Sequence, residues 1–343
     1  MVRVCFFARL LPGTSRAFRL EALERAEFYK QDIEILGDLG FDVTVATCWD
    51  EIPRQVDFYF VWWWNWAFLP LAKAGFGRQP CIITGVFDYQ MEKANQDYVH
   101  RPAWQRWLMR VALENAAANV FLSDYEFRQV TAALKVHNPF YVPLVVDAGI
   151  FRPGTGPREE FILSIARMHT GNARRKSFPE IIRAIPLVRA RHPQMRFVFA
   201  GYRGGDTEYL ESLAQRIGVS DCVEFPGAVS REKKIELMQR CRVFLSPSRH
   251  EGFGLAILEA MSCGAPVVSS PAGAVPEVLG DTGLQVDGTS PQEIADAVNI
   301  YLDSAQFREE MGSRARQRAE TVFPYARRKE SLEQIIKRTL ENA

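Results

Sequence analysis

Short apolar runs alternate with stretches of helical periodicity along most of the chain. Residues 2–7 read as a buried strand, and Leu20, Leu23, Ala26, Ile33 and Leu36 then recur at helical spacing up to Gly40, a helix terminator. Further strands are expected at 43–46, 58–62, 81–84, 119–122 and 141–143, each separated by helix-length sequence. This is the pattern of βαβ units around a parallel sheet. Proline and glycine accumulate over 151–157, and the alternation then restarts with strands at 161–166, 197–200, 223–225, 243–245 and 266–268 and a helix through Ile181, Ile185 and Val188. An amphipathic stripe of Leu332, Ile335, Ile336 and Leu340 follows Pro324. The expected organisation is α/β, with a doubly wound domain over 1–152, a second over 158–322, and a terminal segment, 323–343, that must pack on something.

Composition narrows the function classes. With 47% hydrophobic and 24% charged residues the chain is an ordinary globular protein, and a formal charge of +1 argues against a nucleic-acid binder held by a broad basic field. The apolar start is broken by Arg9 and is far shorter than the ~20 residues of a membrane span, so it is read as a strand and not as a signal peptide. Six scattered cysteines without CxxC spacing read as buried free thiols, consistent with a reducing, cytoplasmic setting.

Parallel sheets bind ligands beyond the carboxyl ends of their strands. Three segments of the second half end strands in that way. Ser164-Ile165-Ala166-Arg167 leads into a polar loop ending at Lys176, and an Arg fork with a Lys point charge suits a diphosphate. Alone, this segment also reads as a solvated basic loop. Ser246 to Gly254 runs into an apolar helix, where a glycine turn and unpaired helix N–H groups favour a phosphate. Within it, Glu251 and Glu259 stand eight residues apart, about 12 Å along one side if the interval is helical. Pro266 to Glu277 is a third strand, turn and helix start.

Together these segments resemble the C-terminal domain of retaining GT-B glycosyltransferases of family 4, over roughly residues 140–330. The resemblance implies two Rossmann-like domains facing a central cleft, with the last helix crossing back to the first. It also implies a nucleoside diphosphate sugar as donor. Arg167 and Lys176 match the family's diphosphate-binding pair, while Glu251 and Glu259 match the glutamates that contact the sugar and the ribose. His250, Gly252, Phe253, Gly254 and Leu255, with Gly227 of Glu224-Phe225-Pro226-Gly227, complete the implied donor surface. Ala166 and Ser177 stand where the family usually has glycine. The acceptor is expected to be a saccharide, a lipid-linked compound or a small molecule, with no nucleic acid. The sequence holds no Asp-x-Asp, so no metal or cofactor is expected. A phosphorylase or epimerase, or a donor-binding subunit without activity, are the alternatives.

The first half departs from that family. Only Gly13 remains of its usual Gly-Gly turn, and the histidine expected after the fourth strand is missing from Thr84-Gly85-Val86-Phe87-Asp88, where Asp88 is the substitute candidate. In Trp62-Trp63-Trp64-Asn65-Trp66, Trp64 and Trp66 are the rings expected to reach a ligand, although strand aromatics also fill cores. Trp104, Trp107, Leu108 and Val111 share a helical face near Arg101, Arg106 and Arg110. This reads first as a core-packing helix, with an interfacial helix on the inner face of a membrane as the alternative. His100, His137 and His192 are expected to be structural, whereas His169 and His250 flank the phosphate elements.

Overall fold

The structure, a computed structural model, describes residues 1–10, 13–75, 78–91 and 97–342. The described residues divide into two compact units, one of 1–91, 97–144 and 326–342 and one of 145–325. Each is built on a six-stranded sheet in which, among the described residues, every pairing of neighbours is parallel.

In the first unit the strands are β1 (Arg3–Ala8), β2 (Asp42–Ala46), β3 (Phe58–Trp62), β4 (Cys81–Gly85), β5 (Ala118–Phe121) and β6 (Pro139–Tyr141), in the spatial order β2-β1-β3-β4-β5-β6. β3 and β4 are buried along their whole length, which is why they read as unbroken apolar runs. The single helix expected over 20–36 is two helices, Arg16–Arg25 and Glu27–Asp38, broken where Ala26 turns extended and is itself buried. No proline or glycine marks that break.

The second unit carries β7 (Glu159–Ile165), β8 (Arg196–Ala200), β9 (Val223–Gly227), β10 (Cys241–Ser246), β11 (Val267–Ser269) and β12 (Leu284–Gln285), in the order β12-β11-β10-β7-β8-β9. The two-residue β12 is too short to stand out in the sequence. Counted within the unit this is 6-5-4-1-2-3, the dinucleotide-fold order, whereas the first unit reverses direction between its first and third strands. The two halves are therefore both doubly wound but not wound alike.

The division falls at Leu144/Val145, ahead of the expected 152, because 145–151 is tied to the second unit. Val146 donates to the Phe323 carbonyl at 3.1 Å, and Arg316 reaches the carbonyls of Ala148 and Phe151. The terminal helix, Tyr325–Glu341, buries Leu332, Ile335 and Ile336, and from Ala326 onward it belongs to the first unit. There Arg328, fully buried, donates to both carboxylate oxygens of the equally buried Asp32 at 2.6 and 2.9 Å and to the carbonyls of Val142 and Pro143. Trp62 Nε1 donates to the same carboxylate at 3.0 Å. Five cysteines are buried and Cys48 is partly so; burial pushes the Cys5, Cys241 and Cys263 thiols up to about 12.

Two aromatic expectations reverse. Trp64 lies in the core, 1% exposed, stacked on Phe121 at 5.0 Å and donating from Nε1 to Asn119 Oδ1 at 2.7 Å. A bend just after β3, with Trp63 at φ 79, turns the Trp64 ring back under the sheet. Conversely the helix Ala103–Asn115 packs inward through Met109, Ala112 and Leu113. Trp104 and Trp107 point the other way, 61% and 63% exposed.

Candidate functional site

β7 and β10 are neighbours in the sheet but far apart in sequence, so the chain runs away from this point in opposite directions on either side. Open sheets offer their ligand crevice at such a reversal, because the loops that follow the two strands diverge. Arg167 follows β7, and the segment 247–254 follows β10. The two motifs singled out in the sequence therefore meet at the reversal.

Close backbone approach holds the first loop. An added Cβ at Gly201 would lie 1.9 Å from the Ala166 carbonyl oxygen, and one at Gly204 would lie 2.8 Å from His169 Cα. Asp206 accepts from the Ala173 N–H at 3.1 Å, seating the short helix Asn172–Arg175. Gly227 closes β9 at φ 79, and its carbonyl accepts from Gly201 N–H at 2.9 Å, so its place is beside this loop as a shaping residue. Arg167 is exposed, and among the described residues its guanidinium is in no ion pair. His169 is likewise exposed.

The second loop is fastened to the first by charge. Arg175 accepts the Arg249 N–H on its carbonyl at 2.7 Å and donates from Nη1 to the His250 carbonyl at 2.7 Å. Lys176 Nζ donates to Glu251 Oε1, which also accepts from Ser248 Oγ at 2.6 Å, while Arg175 Nη1 stands 3.8 Å from Oε2. Burial alone would raise the Glu251 carboxyl, but Lys176 and Arg175, with the Lys176 and Ser248 hydrogen bonds, bring it down to about 2. Burial pushes the Lys176 ammonium down, against the pull of Glu251. Lys176 and Glu251, expected on the diphosphate and the sugar respectively, are thus joined to each other in the protein alone.

A glycine fixes the other side of Glu251. Gly273 sits at φ 61 with its Cβ position 2.2 Å from the Glu251 carbonyl oxygen, which accepts from Ala274 N–H at 2.9 Å. Gly254, at φ 95, caps the helix Leu255–Ser262, so the first-turn N–H groups at Leu255 and Ala256 face the loop without intrahelical acceptors. The helix begins only at Leu255, so half of the interval between the two glutamates is loop and the purely helical spacing does not apply. Glu259 is buried and accepts from Lys234 Nζ at 2.7 Å. Gly252 is half-buried, whereas Phe253 is 3% exposed and packs edge-on against Phe323 at 6.0 Å. The Phe253 side chain is therefore core, and only its backbone can meet a ligand. His250 is buried as well.

Ser177 explains the family's glycine at its position. Its φ of 56 is left-handed, the conformation glycine adopts without cost, and its buried Oγ has no hydrogen-bond partner among the described residues. Arg175 and Ser248 belong to segments flagged in the sequence, but Lys234 had no signal, lying within a run of ordinary helical charges at 231–236.

In the first unit the reversal lies between β1 and β3. Gly13 follows β1 at φ 83 in open space; its neighbours Leu11 and Pro12 lie outside the described residues. Trp66, half-buried, carries Arg9 over its ring at 5.5 Å. Beyond β4, Asp88 is held at φ 50, and Glu126 Oε1 accepts the N–H groups of both Phe87 and Asp88 at 2.6 and 2.5 Å. The Asp88 carbonyl accepts from Tyr98 N–H at 2.7 Å, which brings the buried Asp97 and its partner His100 alongside. Burial would raise the Asp97 carboxyl, but hydrogen bonds from Met91 and His100 lower it. Glu126 and this Asp97–His100 pair went unread in the sequence because their partners are loop atoms tens of residues distant or across an irregular turn.

The chain is similar to known proteins over its second unit and in its fold. The model of the family "Glycosyl transferases group 1" matches residues 150–318. The MMP alpha-(1->4)-mannosyltransferase of Mycolicibacterium hassiacum is 29% identical over 75% of this chain and 64% of its own length. The D-inositol 3-phosphate glycosyltransferase of Corynebacterium jeikeium is 32% identical over 62% and 56% respectively. The chain thus spans about three fifths of the length of these two relatives. Among solved structures, sucrose-phosphate synthase of Thermosynechococcus elongatus superimposes with a TM-score of 0.82 at 16% identity, covering all of both chains. HepE of Anabaena, solved with UDP and glucose, gives 0.75 at 17% identity over 98% of this chain and all of its own. At those identities the likeness speaks for the fold, which is GT-B. Residues 150–318 thus match the glycosyl transferases group 1 family, and the second unit is the part of the chain that carries this likeness.

Proposed function

We propose that the chain transfers a sugar from a nucleoside diphosphate sugar to a hydroxyl acceptor, which is a saccharide, a lipid-linked compound or a small molecule. One observation carries this reading. At the β7/β10 reversal an unpaired Arg167, a helix amino terminus at Leu255 and a buried, charged Glu251 come together. The relatives named as mannosyl- and inositol-phosphate glycosyltransferases, and the UDP in the HepE structure, support the same donor class.

In the reaction the bond from the anomeric carbon to the diphosphate oxygen breaks with its electron pair going to the phosphate. The acceptor oxygen bonds to that carbon and its proton leaves to the departing phosphate oxygen, with retention of configuration. Arg167 and the N–H groups at Leu255 stabilise the negative charge that develops on the phosphate, and Lys176 adds to that positive field from within its ion pair. Glu251 faces the sugar hydroxyls, and Glu259 the ribose. These cations supply the charge that Asp-x-Asp enzymes draw from a divalent metal, so turnover should be unchanged by a chelator.

Two measurements test the reading. Nucleoside diphosphates of uracil, guanine and adenine, and their sugars, are screened by thermal shift, and one set should raise the midpoint by mass action. Arg167→Ala should lose about 10²- to 10³-fold in turnover with the fold intact, since the side chain is exposed. Wild-type turnover in that variant, or no stabilisation by any nucleotide, would sink the assignment.

A further inference from the structure

The first unit presents a surface that the transfer reaction does not use. Of the seven tryptophans, only Trp104 and Trp107 are more than half exposed; Trp62 and Trp64 are core, Trp63 and Trp66 half-buried, and Trp49 is 40% exposed beneath Lys73. They stand one helical turn apart on the helix Ala103–Asn115, on the side away from Met109, Ala112 and Leu113. Two exposed rings side by side leave a continuous apolar surface in water, so the face calls for an occupant.

The charge around it identifies which. From Tyr98 to Leu113 the sequence holds Arg101, Arg106 and Arg110 and no acidic residue. Among the described residues none of the three is in an ion pair: Arg110 donates to the Tyr98 hydroxyl and Arg101 to Gln105, both neutral groups. This contrasts with Arg175, Arg196, Arg203, Arg240, Arg249 and Arg328, each paired to a carboxylate. The helix Phe68–Lys73 packed alongside contributes Lys73 and no carboxylate. Glu114, at the far end of the exposed face, is answered by Lys135 at 3.7 Å.

Tryptophan favours the headgroup level of a bilayer, and arginine binds phosphate there. Among the described residues no helix is long and apolar enough to cross a membrane, so the attachment would be peripheral. We propose that the Trp104/Trp107 face docks on an anionic phospholipid surface, the rings entering the headgroup boundary while Arg101, Arg106 and Arg110 meet lipid phosphates. A second copy of the chain fits less well, because a self-pairing face would bring the unpaired arginines of two copies together.

The test is co-sedimentation of the full chain with vesicles of phosphatidylcholine alone and of phosphatidylcholine mixed with phosphatidylglycerol, without nucleotide, so that it reads independently of the transferase assignment. Wild type should bind the anionic vesicles, bind neutral ones far less, and release at ~1 M salt, where the Debye length is about 3 Å. Trp104→Ser with Trp107→Ser should weaken binding at least about tenfold. Arg106→Gln and Arg110→Gln should each cost about fivefold. Because Arg110 also supports Tyr98, a second variant is needed: Ala103→Glu places a carboxylate at an exposed first-turn position that the helix dipole tolerates, and it should weaken anionic binding alone. Ile300→Ser, at an exposed apolar position of the second unit, should bind as wild type does. Equal binding to both vesicle types, no binding to either, or a tryptophan-dependent dimer that ignores vesicles would overturn the proposal.

Discussion

Glu251→Gln preserves the size of the side chain and deletes its charge, placing the site permanently in the state that the wild-type carboxyl reaches only on protonation. Lys176 and Arg175 hold that carboxyl at about 2 against an ordinary 4.5. At ~1.4 kcal/mol per unit this is about 3 kcal/mol of stability, with little solvent screening to discount because the residue is only 7% exposed. The sign follows from the depressed value: the contribution is complete above 4.5 and is lost as pH falls toward 2. The variant should therefore be about 3 kcal/mol less stable than wild type at neutral pH, and the two should converge in acid. Proton loss from the buried Lys176, already pushed down by burial, limits the cost. In urea, with a slope of ~1–3 kcal/mol per molar, the gap is about 1 M or more in midpoint at neutral pH and shrinks near pH ~3. An absent gap at neutral pH, or one that persists unchanged in acid, would refute the claim that this ion pair holds the two loops together.

Ser177→Gly should stabilise the second unit. It removes ~1–2 kcal/mol of left-handed strain and a buried hydroxyl without an acceptor, against ~0.5–1 kcal/mol of added chain entropy, so thermal unfolding should rise by a few degrees. A lowered midpoint would show that the serine has a partner role. Asp32→Ala should cost about 3–5 kcal/mol, because it strands the buried Arg328, and Arg328→Met with Asp32→Leu should recover much of the loss in chemical denaturation. Lys234→Met should weaken nucleotide binding by leaving Glu259 without its cation, while changing stability of the first unit not at all; calorimetric titration and unfolding measure the two separately.

What was legible in the sequence was whatever depends on neighbours along the chain. Strands such as 58–62 and 81–85 announce themselves because both faces are buried, and the loops after β7 and β10 because polar residues and glycine follow each apolar run directly. Features that depend on distant partners were not legible. Trp64 and Trp104 look alike as residues, yet Asn119 and Phe121 draw one into the core while the other faces outward. The break at Ala26 has no local breaker, and the winding orders of the two sheets follow from which strands pair, information absent from any single run. Lys234 reaches Glu259 across 25 positions, so no motif spacing could disclose it.

The buried Arg328 has a consequence for the order of events during synthesis. Its partners Asp32, Val142 and Pro143 all leave the ribosome before the second unit is made, and Arg328 only after it. At roughly 5–20 residues per second, the nascent first unit waits on the order of 10 s or longer with an interior carboxylate that lacks its cation and the sites of Leu332, Ile335 and Ile336 uncovered. Completion of the earliest-made unit is therefore among the last steps of folding, and a chain cut short before 326 would lose the integrity of its first unit.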